Sequence, residues 1–241
     1  MSQATASSSD QAAVNQAVNA FYDAVIGKNQ AQLDALTTAQ VAALTTDQVR
    51  ALASHQIRAL TTDQVGALTT DQVAALSTYQ VTQITTTQVG ALTTDGIVAL
   101  TTSQVRALSG AQAGALTTDQ VAAFETDDVA VLGSAALQGL TTSGIQALTT
   151  DQVVALTTTQ IGQLLTTQVA AMETDDVAAL GTNQIAALSA LQVKALNTDQ
   201  IDALTTEQVG ALTSTQVAGL STDQMAAIES SDLKALSTLA L

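Results

Sequence analysis

From residue 35 onward the apolar residues of this chain recur with a period of eight. The unit reads Ala-Leu-Thr-Thr-Asp-Gln-Val-x, as in Ala59-Leu60-Thr61-Thr62-Asp63-Gln64-Val65-Gly66. It runs from Ala35 to Lys234 without an inserted or deleted residue, 25 octads in all, with a partial unit from Ala235 to Leu241. The second slot is Leu in 21 octads, with Ile84, Phe124, Met172 and Ile228 in the others, and the seventh slot is apolar in every one, Ala113 being the smallest. Gln holds the sixth slot in 19 of the 25.

Each octad carries the chemistry of a helix start. Thr61 and Gln64 stand at capping-box spacing: the Thr hydroxyl can accept from the N3 amide while the Gln side chain reaches back to the N-cap amide. Leu60 and Val65 then occupy N′ and N4, the two positions of a hydrophobic staple. Asp63 falls at N2, where the helix dipole favours a negative charge. Leu68 is already N′ of the next unit, so each start ends the helix before it. The pattern predicts one helix of about seven residues per octad, followed by a sharp bend.

Two alternatives fail on geometry. In a continuous helix eight residues rotate by about 800°, a drift of roughly 80° per octad, which leaves no lasting apolar seam for a partner helix. A stack of strands wants strict alternation of inward and outward residues. Here Val-x-Ala-Leu sets the large apolar residues three apart, and alanine is a poor strand former. The fold class expected is all-α, a solenoid of very short helices.

A longer rhythm lies in the variable slots. The eighth slot is Gly at Gly66, Gly90, Gly114, Gly162 and Gly210, spaced by 24 or 48 residues. In the fifth slot Asp47, Asp71, Asp95 and Asp119 form one series at spacing 24, and Asp127, Asp151, Asp175, Asp199 and Asp223 another. Twenty-four residues is three octads, so the rhythm points to three helices per superhelical turn, a triangular prism with glycine where backbones approach most closely. Duplication of 24- or 48-residue blocks would produce the same rhythm without spatial meaning. With turns stacked at helix-packing distance, such a coil would be a rod of roughly 70–85 Å. Helices this short do not persist alone in water, so stability must come from contact between turns.

Ahead of the array, residues 1–9 are small, polar and serine-rich, the composition of a disordered tail. Residues 10–34 read as a helical cap: Asp10 can open a helix with Val14, Ala17, Val18, Phe21, Tyr22, Val25 and Ile26 along one stripe, and a short helix from Gln30 leads into the array. A cap is what a solenoid end requires; the alternative is a helix that docks Phe21 and Tyr22 on a partner. The array itself spans 35–241 and ends on Ser237-Thr238-Leu239-Ala240-Leu241, with no polar cap.

Composition narrows function mostly by exclusion. The formal charge is −15 with six basic residues among 241. An acidic surface repels phosphate backbones and anionic lipids, so neither nucleic-acid binding nor membrane docking is expected. No apolar run approaches the ~20 residues of a membrane span, and residues 1–20 show no secretory signal pattern. There is no cysteine, and aromatics make up 2% of the chain, so the core must be Leu, Val, Ile and Ala.

Candidate chemistry is sparse. The one histidine, His55, sits in the variable fifth slot with no companion nucleophile. Glu125/Asp128, Glu173/Asp176 and Glu229/Asp232 each replace Thr and Gln together. They could supply hard-oxygen ligands to calcium, but the further oxygens of a calcium loop are missing, and a variant helix cap is the reading preferred. The Thr-Thr pairs could rank hydroxyls on one face for ice or polysaccharide, although capping already accounts for one Thr of each pair. No catalytic residue, cofactor site or metal site is assigned.

The motif, as in Ala147-Leu148-Thr149-Thr150-Asp151-Gln152-Val153-Val154, resembles the Leu-Thr-Thr-x-Gln-Val arrays of very large bacterial secreted or surface proteins, often labelled adhesins or haem-utilisation proteins. The resemblance covers residues 35–241 and implies a surface or secreted setting, with a cytoplasmic one left open; no haem-ligand pattern accompanies it. Leu148 to Leu156 is also similar to the opening of a transcription-activator-like effector repeat. The long repeat, base-reading loop and basic surface of that family are absent, so DNA recognition does not carry over. The function expected is a non-enzymatic structural repeat, a stiff spacer or stalk able to self-associate through its ends. The alternative is a scaffold that binds a protein, glycan or ice surface on one face.

Overall fold

The computed structural model describes residues 36–236. The tail at 1–9, the cap at 10–34 with Phe21 and Tyr22, and the terminal residues 237–241 lie outside it. The described residues form 24 α-helices, from Thr38–Ala42 to Thr222–Ala227, and a closing 3-10 turn at Asp232–Ala235, with no strand among them. There is one helix per octad, as the periodicity predicts.

The helix start follows the capping box closely. At Thr62–Gly66 the N-cap Thr61 is extended, at φ −70° and ψ 162°. Its hydroxyl accepts from the Gln64 amide at 3.2 Å, and Gln64 Oε1 accepts from the Thr61 amide at 2.9 Å. Where the N-cap side chain cannot accept, the glutamine half persists alone: Gln56, Gln168 and Gln184 accept from the amides of Ala53, Leu165 and Gly181 at 2.7–2.9 Å.

The helices are shorter than expected, four to six residues rather than seven. The leucine that the pattern places at the end of one helix is not helical. Leu60 lies at φ −56° and ψ 134°, and its amide donates to Ile57 O at 3.3 Å in a tight reverse turn. Two non-helical residues in sequence, Leu60 then the extended Thr61, therefore make this corner. The leucine still points inward: Leu60 and Val65 are both buried, as a staple requires.

The helices fall into two compact units, divided after Leu108. In the first, Thr38–Ala42 packs on Thr62–Gly66, Thr46–Ala51 on Thr70–Ala75, Ser54–Ala59 on Thr78–Gln83, and the series continues to Thr102–Arg106. In the second, Gly110–Ala113 packs on Ser134–Gly139, and the same rule holds up to Thr206–Gly210 against the closing 3-10 turn. Each helix thus packs on the third one after it, so within each unit there are three helices per turn. The 24-residue rhythm has spatial meaning.

The second and seventh slots of successive octads meet inside each coil. Val49, Leu52, Ile57, Leu60, Val65 and Leu68 surround an apolar space of about 10 Å³ in the first unit, too small and too dry to hold a ligand. Full burial of a Leu or Val is worth about 1.5–3 kcal/mol, and two such residues per octad supply what so short a helix lacks.

Glycine marks the tightest approaches, in two different ways. A Cβ on Gly66, Gly162 or Gly210 would meet the carbonyl of Ala91, Ala187 or Ala235, one turn on, at 3.1–3.2 Å. This is the close edge predicted from the glycine column. A closer approach lies elsewhere: a Cβ on Gly110 would stand 2.6 Å from Ala135 O, and one on Gly139 would overlap the backbone of Gly110. Gly219 lies over Ala190 in the same way, with a Cβ contact at 3.4 Å. Gly110 and Ala190 are the only fourth-slot residues without a hydroxyl, and Gly139 and Gly219 the only first-slot glycines. The two positions shrink together, and the helices close in.

Candidate functional site: the glutamine joint and its acidic variants

The polar residue the fold depends on is the glutamine of the sixth slot, and it does more than cap. Gln72 is 2% exposed. Its Oε1 accepts from the Thr69 amide at 2.9 Å. Its Nε2 donates downward, to Val41 O at 2.9 Å and Leu44 O at 2.7 Å. Those two carbonyls flank the corner that ends helix Thr38–Ala42; Val41 O also accepts from the Leu44 amide at 3.1 Å, so the glutamine takes its second acceptor site. One buried amide therefore ties the start of a helix to a corner in the turn below.

The same bridge, to carbonyls 31 and 28 positions earlier, recurs at Gln80, Gln88 and Gln104 in the first unit. In the second unit it recurs at Gln152, Gln160, Gln168 and Gln184. It continues at Gln192, Gln200, Gln208, Gln216 and Gln224. Each of these amides uses both donor hydrogens and its acceptor, so burial leaves nothing unsatisfied. Eighth-slot side chains add outer ties, from Arg50 Nε to Ala75 O at 3.2 Å and from Gln138 Nε2 to Gln163 O at 2.8 Å.

Three octads have aspartate in the glutamine slot. Asp128, Asp176 and Asp232 are 2%, 3% and 8% exposed. The carboxylate still reaches the N-cap amide at Asp128, which is hydrogen-bonded to the backbone of Glu125. It has no hydrogen to offer the turn below. A fourth-slot hydroxyl turns toward the aspartate instead: Thr150 Oγ1 donates to Asp176 Oδ1 at 2.9 Å, and Thr206 Oγ1 to Asp232 Oδ1 at 2.6 Å. Asp128 Oδ2 is buried without a hydrogen-bond partner. Burial first, then the charges of Glu125 and Asp127, push Asp128 from the ordinary 3.8 up to about 6. Asp176 is raised too, chiefly by burial and further by Glu173 and Asp175, while the Thr150 hydroxyl opposes the shift. Glu125 and Glu173, at the N-cap positions, make no side-chain capping bond.

The octad with this geometry matches a known repeat. The ALTTAQ repeat is found at residues 29–54, 46–78, 97–126, 121–158, 169–206 and 201–227, which together span more than half of the chain. The chain belongs to the ALTTAQ repeat family. Residues Ala35-Leu36-Thr37-Thr38-Ala39-Gln40 spell that name in full, and its last letter is the glutamine of the joint. No functionally curated protein matched the chain.

In the ALTTAQ array the remaining candidates are scattered. His55 is exposed on the first turn of Ser54–Ala59. Tyr79 is 64% exposed, whereas Phe124 is 4% exposed and faces inward, in the corner slot of a leucine. The two aromatics do not share a surface. The paired threonines divide their work: Thr61 caps, and Thr62 lies exposed beside it. Among the described residues no group of three or more His, Cys, Asp or Glu side chains could hold a metal ion, and no helix is long and apolar enough to cross a membrane.

Sequence reasoning finds the cap and misses the joint. A signal is present: a capping box accepts Glu as readily as Gln, yet this acidic chain never has Glu in the sixth slot. Only the amide carries hydrogens for the turn below.

Proposed function

We propose that this ALTTAQ array is a non-enzymatic structural element, a spacer or stalk within a bacterial surface or secreted protein. The observation that carries the reading is the repeated amide bridge. The buried polar side chains sit at one slot of the octad, and the glutamines from Gln72 to Gln224 that carry the bridge are engaged in joining one turn to another. Among the described residues the outward slots carry chiefly Thr, Ser, Asp and Ala, with no constellation of nucleophile, base and oxyanion donor. Large exposed apolar residues such as Tyr79, Val154, Leu165 and Leu191 are scattered over the third, fifth and eighth slots and do not recur from one turn to the next. A binding face would repeat one such residue along a column.

The surface or secreted setting and end-to-end association rest on the resemblance of the octad to arrays of that kind. Small-angle scattering tests the spacer reading, on the full chain and on variants with three or six octads excised between Ala147 and Lys194. Each three-octad block removed should shorten the longest dimension by the same step, with helicity per residue unchanged. A particle whose longest dimension ignores block number would overturn the reading. Saturable retention on one glycan or on ice, lost on a single face substitution, would replace it with the binding scaffold.

A further inference from the structure

We propose that the carboxyls of Asp128 and Asp176 make the second unit a proton-tightened segment, firm when they are protonated and loosened when they ionise. The inference goes beyond the spacer reading and does not depend on it. Both residues stand where the array otherwise places a bridging amide, and both are almost fully buried. An amide at this slot gives two hydrogens to carbonyls of the turn below. A carboxylic acid can give one, and a carboxylate none.

The surroundings offer an ionised carboxyl little relief, one backbone amide at Asp128 and one hydroxyl, from Thr150, at Asp176. Asp128 Oδ2 is without a partner, and Glu125 and Asp127 add like charge beside it. The helix packed against it within this unit, Thr150–Ala155, contributes Asp151. Around Asp176 stand Glu173 and Asp175 on its own octad, Asp151 on Thr150–Ala155, and Asp199 and Asp202 on Thr198–Asp202. The octads 123–130, 147–154, 171–178 and 195–202 contain no Lys or Arg. A buried charge with neither a counter-ion nor a full set of donors is costly.

The sign follows from proton linkage. The folded state keeps a proton on Asp128 up to about pH 6, while the unfolded chain releases it near 3.8. Stability is therefore fully present below the unfolded value and is lost as pH rises through the folded one. This is the reverse of the usual surface carboxylate, which stabilises when ionised.

The experiment is urea unfolding of the full chain, with amide exchange read on residues 126–131 and 174–179, between pH 5 and pH 7.5. At pH 7.5 the wild type should show an opening constant at least about tenfold larger over residues 126–131, since each pKa unit corresponds to a factor of ten, and an increase over residues 174–179 as well. The variant Asp128→Asn/Asp176→Asn, neutral at every pH and able to donate, should hold its pH 5 value across the range. The control Asp119→Asn/Asp223→Asn removes the same charge from exposed sites of the same unit, on helices packed against neither carboxyl, and should retain the wild-type dependence. Parallel pH profiles for the wild type and the buried double variant would overturn the proposal. So would an equal flattening by the exposed control, or a carbon-13 titration of the Asp128 carboxyl at the ordinary aspartate value.

Discussion

Gln200 and Asp176 occupy the same slot three octads apart, on helices packed one above the other, and they handle burial in opposite ways. Gln200 is 0% exposed; its Oε1 accepts from the Asn197 amide at 2.8 Å, and its Nε2 donates to Val169 O and Met172 O at 3.2 and 2.6 Å. Asp176 receives one hydroxyl from Thr150 and donates nothing. Yet the helices they begin are nearly alike, both entered through an extended N-cap residue, Asn197 or Glu173, and both burying the next aliphatic residue, Ile201 or Val177. The apolar rhythm sets the path of the backbone, and the sixth-slot side chain sets how firmly one turn is held to another.

The most damaging way to challenge that division is to give Gln200 the chemistry of Asp176. Gln200→Glu keeps the acceptor for the N-cap amide and replaces the donors with a charge. It should cost about 4 kcal/mol at pH 8, with part of the loss returning at pH 5, where burial keeps the carboxyl protonated. Urea unfolding at the two pH values measures both. A cost under about 1 kcal/mol, the net worth of an ordinary hydrogen bond, would mean the joint contributes little.

If the apolar rhythm sets the path, both octads should suffer alike when it is cut. Ile201→Ala and Val177→Ala should each destabilise by about 3 kcal/mol, whichever side chain precedes them. Unequal losses, well beyond the extra methylene of Ile201, would show that the glutamine octad and the acidic octad do not share one core.

Close approach of turns supplies a third probe. Gly139→Ala places a methyl against the backbone of Gly110 and should cost about 2 kcal/mol. Gly181→Ala, where a Cβ would meet only Gln184 Oε1 at 3.5 Å, should change unfolding little. Similar results at the two glycines would refute the role assigned to the Gly110–Gly139 contact.

The smallest effect separates the caps. Thr205→Ala, ahead of Gln208, removes a hydroxyl that accepts from the Gln208 amide at 3.3 Å and should cost about 1 kcal/mol. Glu173→Ala removes a side chain that caps nothing and lies beside a buried carboxyl, so it should be neutral or stabilising. Thermal unfolding followed by circular dichroism resolves the pair.

These contrasts also separate what is legible in the chain from what is not. Thr61 with Gln64, and Leu60 with Val65, announce a helix start through contacts between near neighbours, and such contacts are visible in any one octad. Gly66, Gly162 and Gly210 announce the three-octad turn because a Cβ there would press on the carbonyl of the next turn. Spacing alone overstates the helix length, because Leu60 and Leu68 look helical by their separation while the corners leave both outside a helix. The joint from Gln72 to Val41 and Leu44 spans separations of 31 and 28 in the chain, neither a multiple of eight, so it emerges only once the turns are stacked. The Gly110–Gly139 approach hides for a similar reason: one partner lies in the fourth slot and the other in the first, so no single column records it.

The reach of the glutamine amide has a consequence for how such a gene can change in size. A copying slip of one octad leaves every donor facing a corner carbonyl but moves all later octads round by one side, misaligning columns such as Asp151-Asp175-Asp199. A slip of three octads preserves both, and any length that is not a whole number of octads severs the bonds it crosses. Copy number in this family should therefore drift most freely in threes.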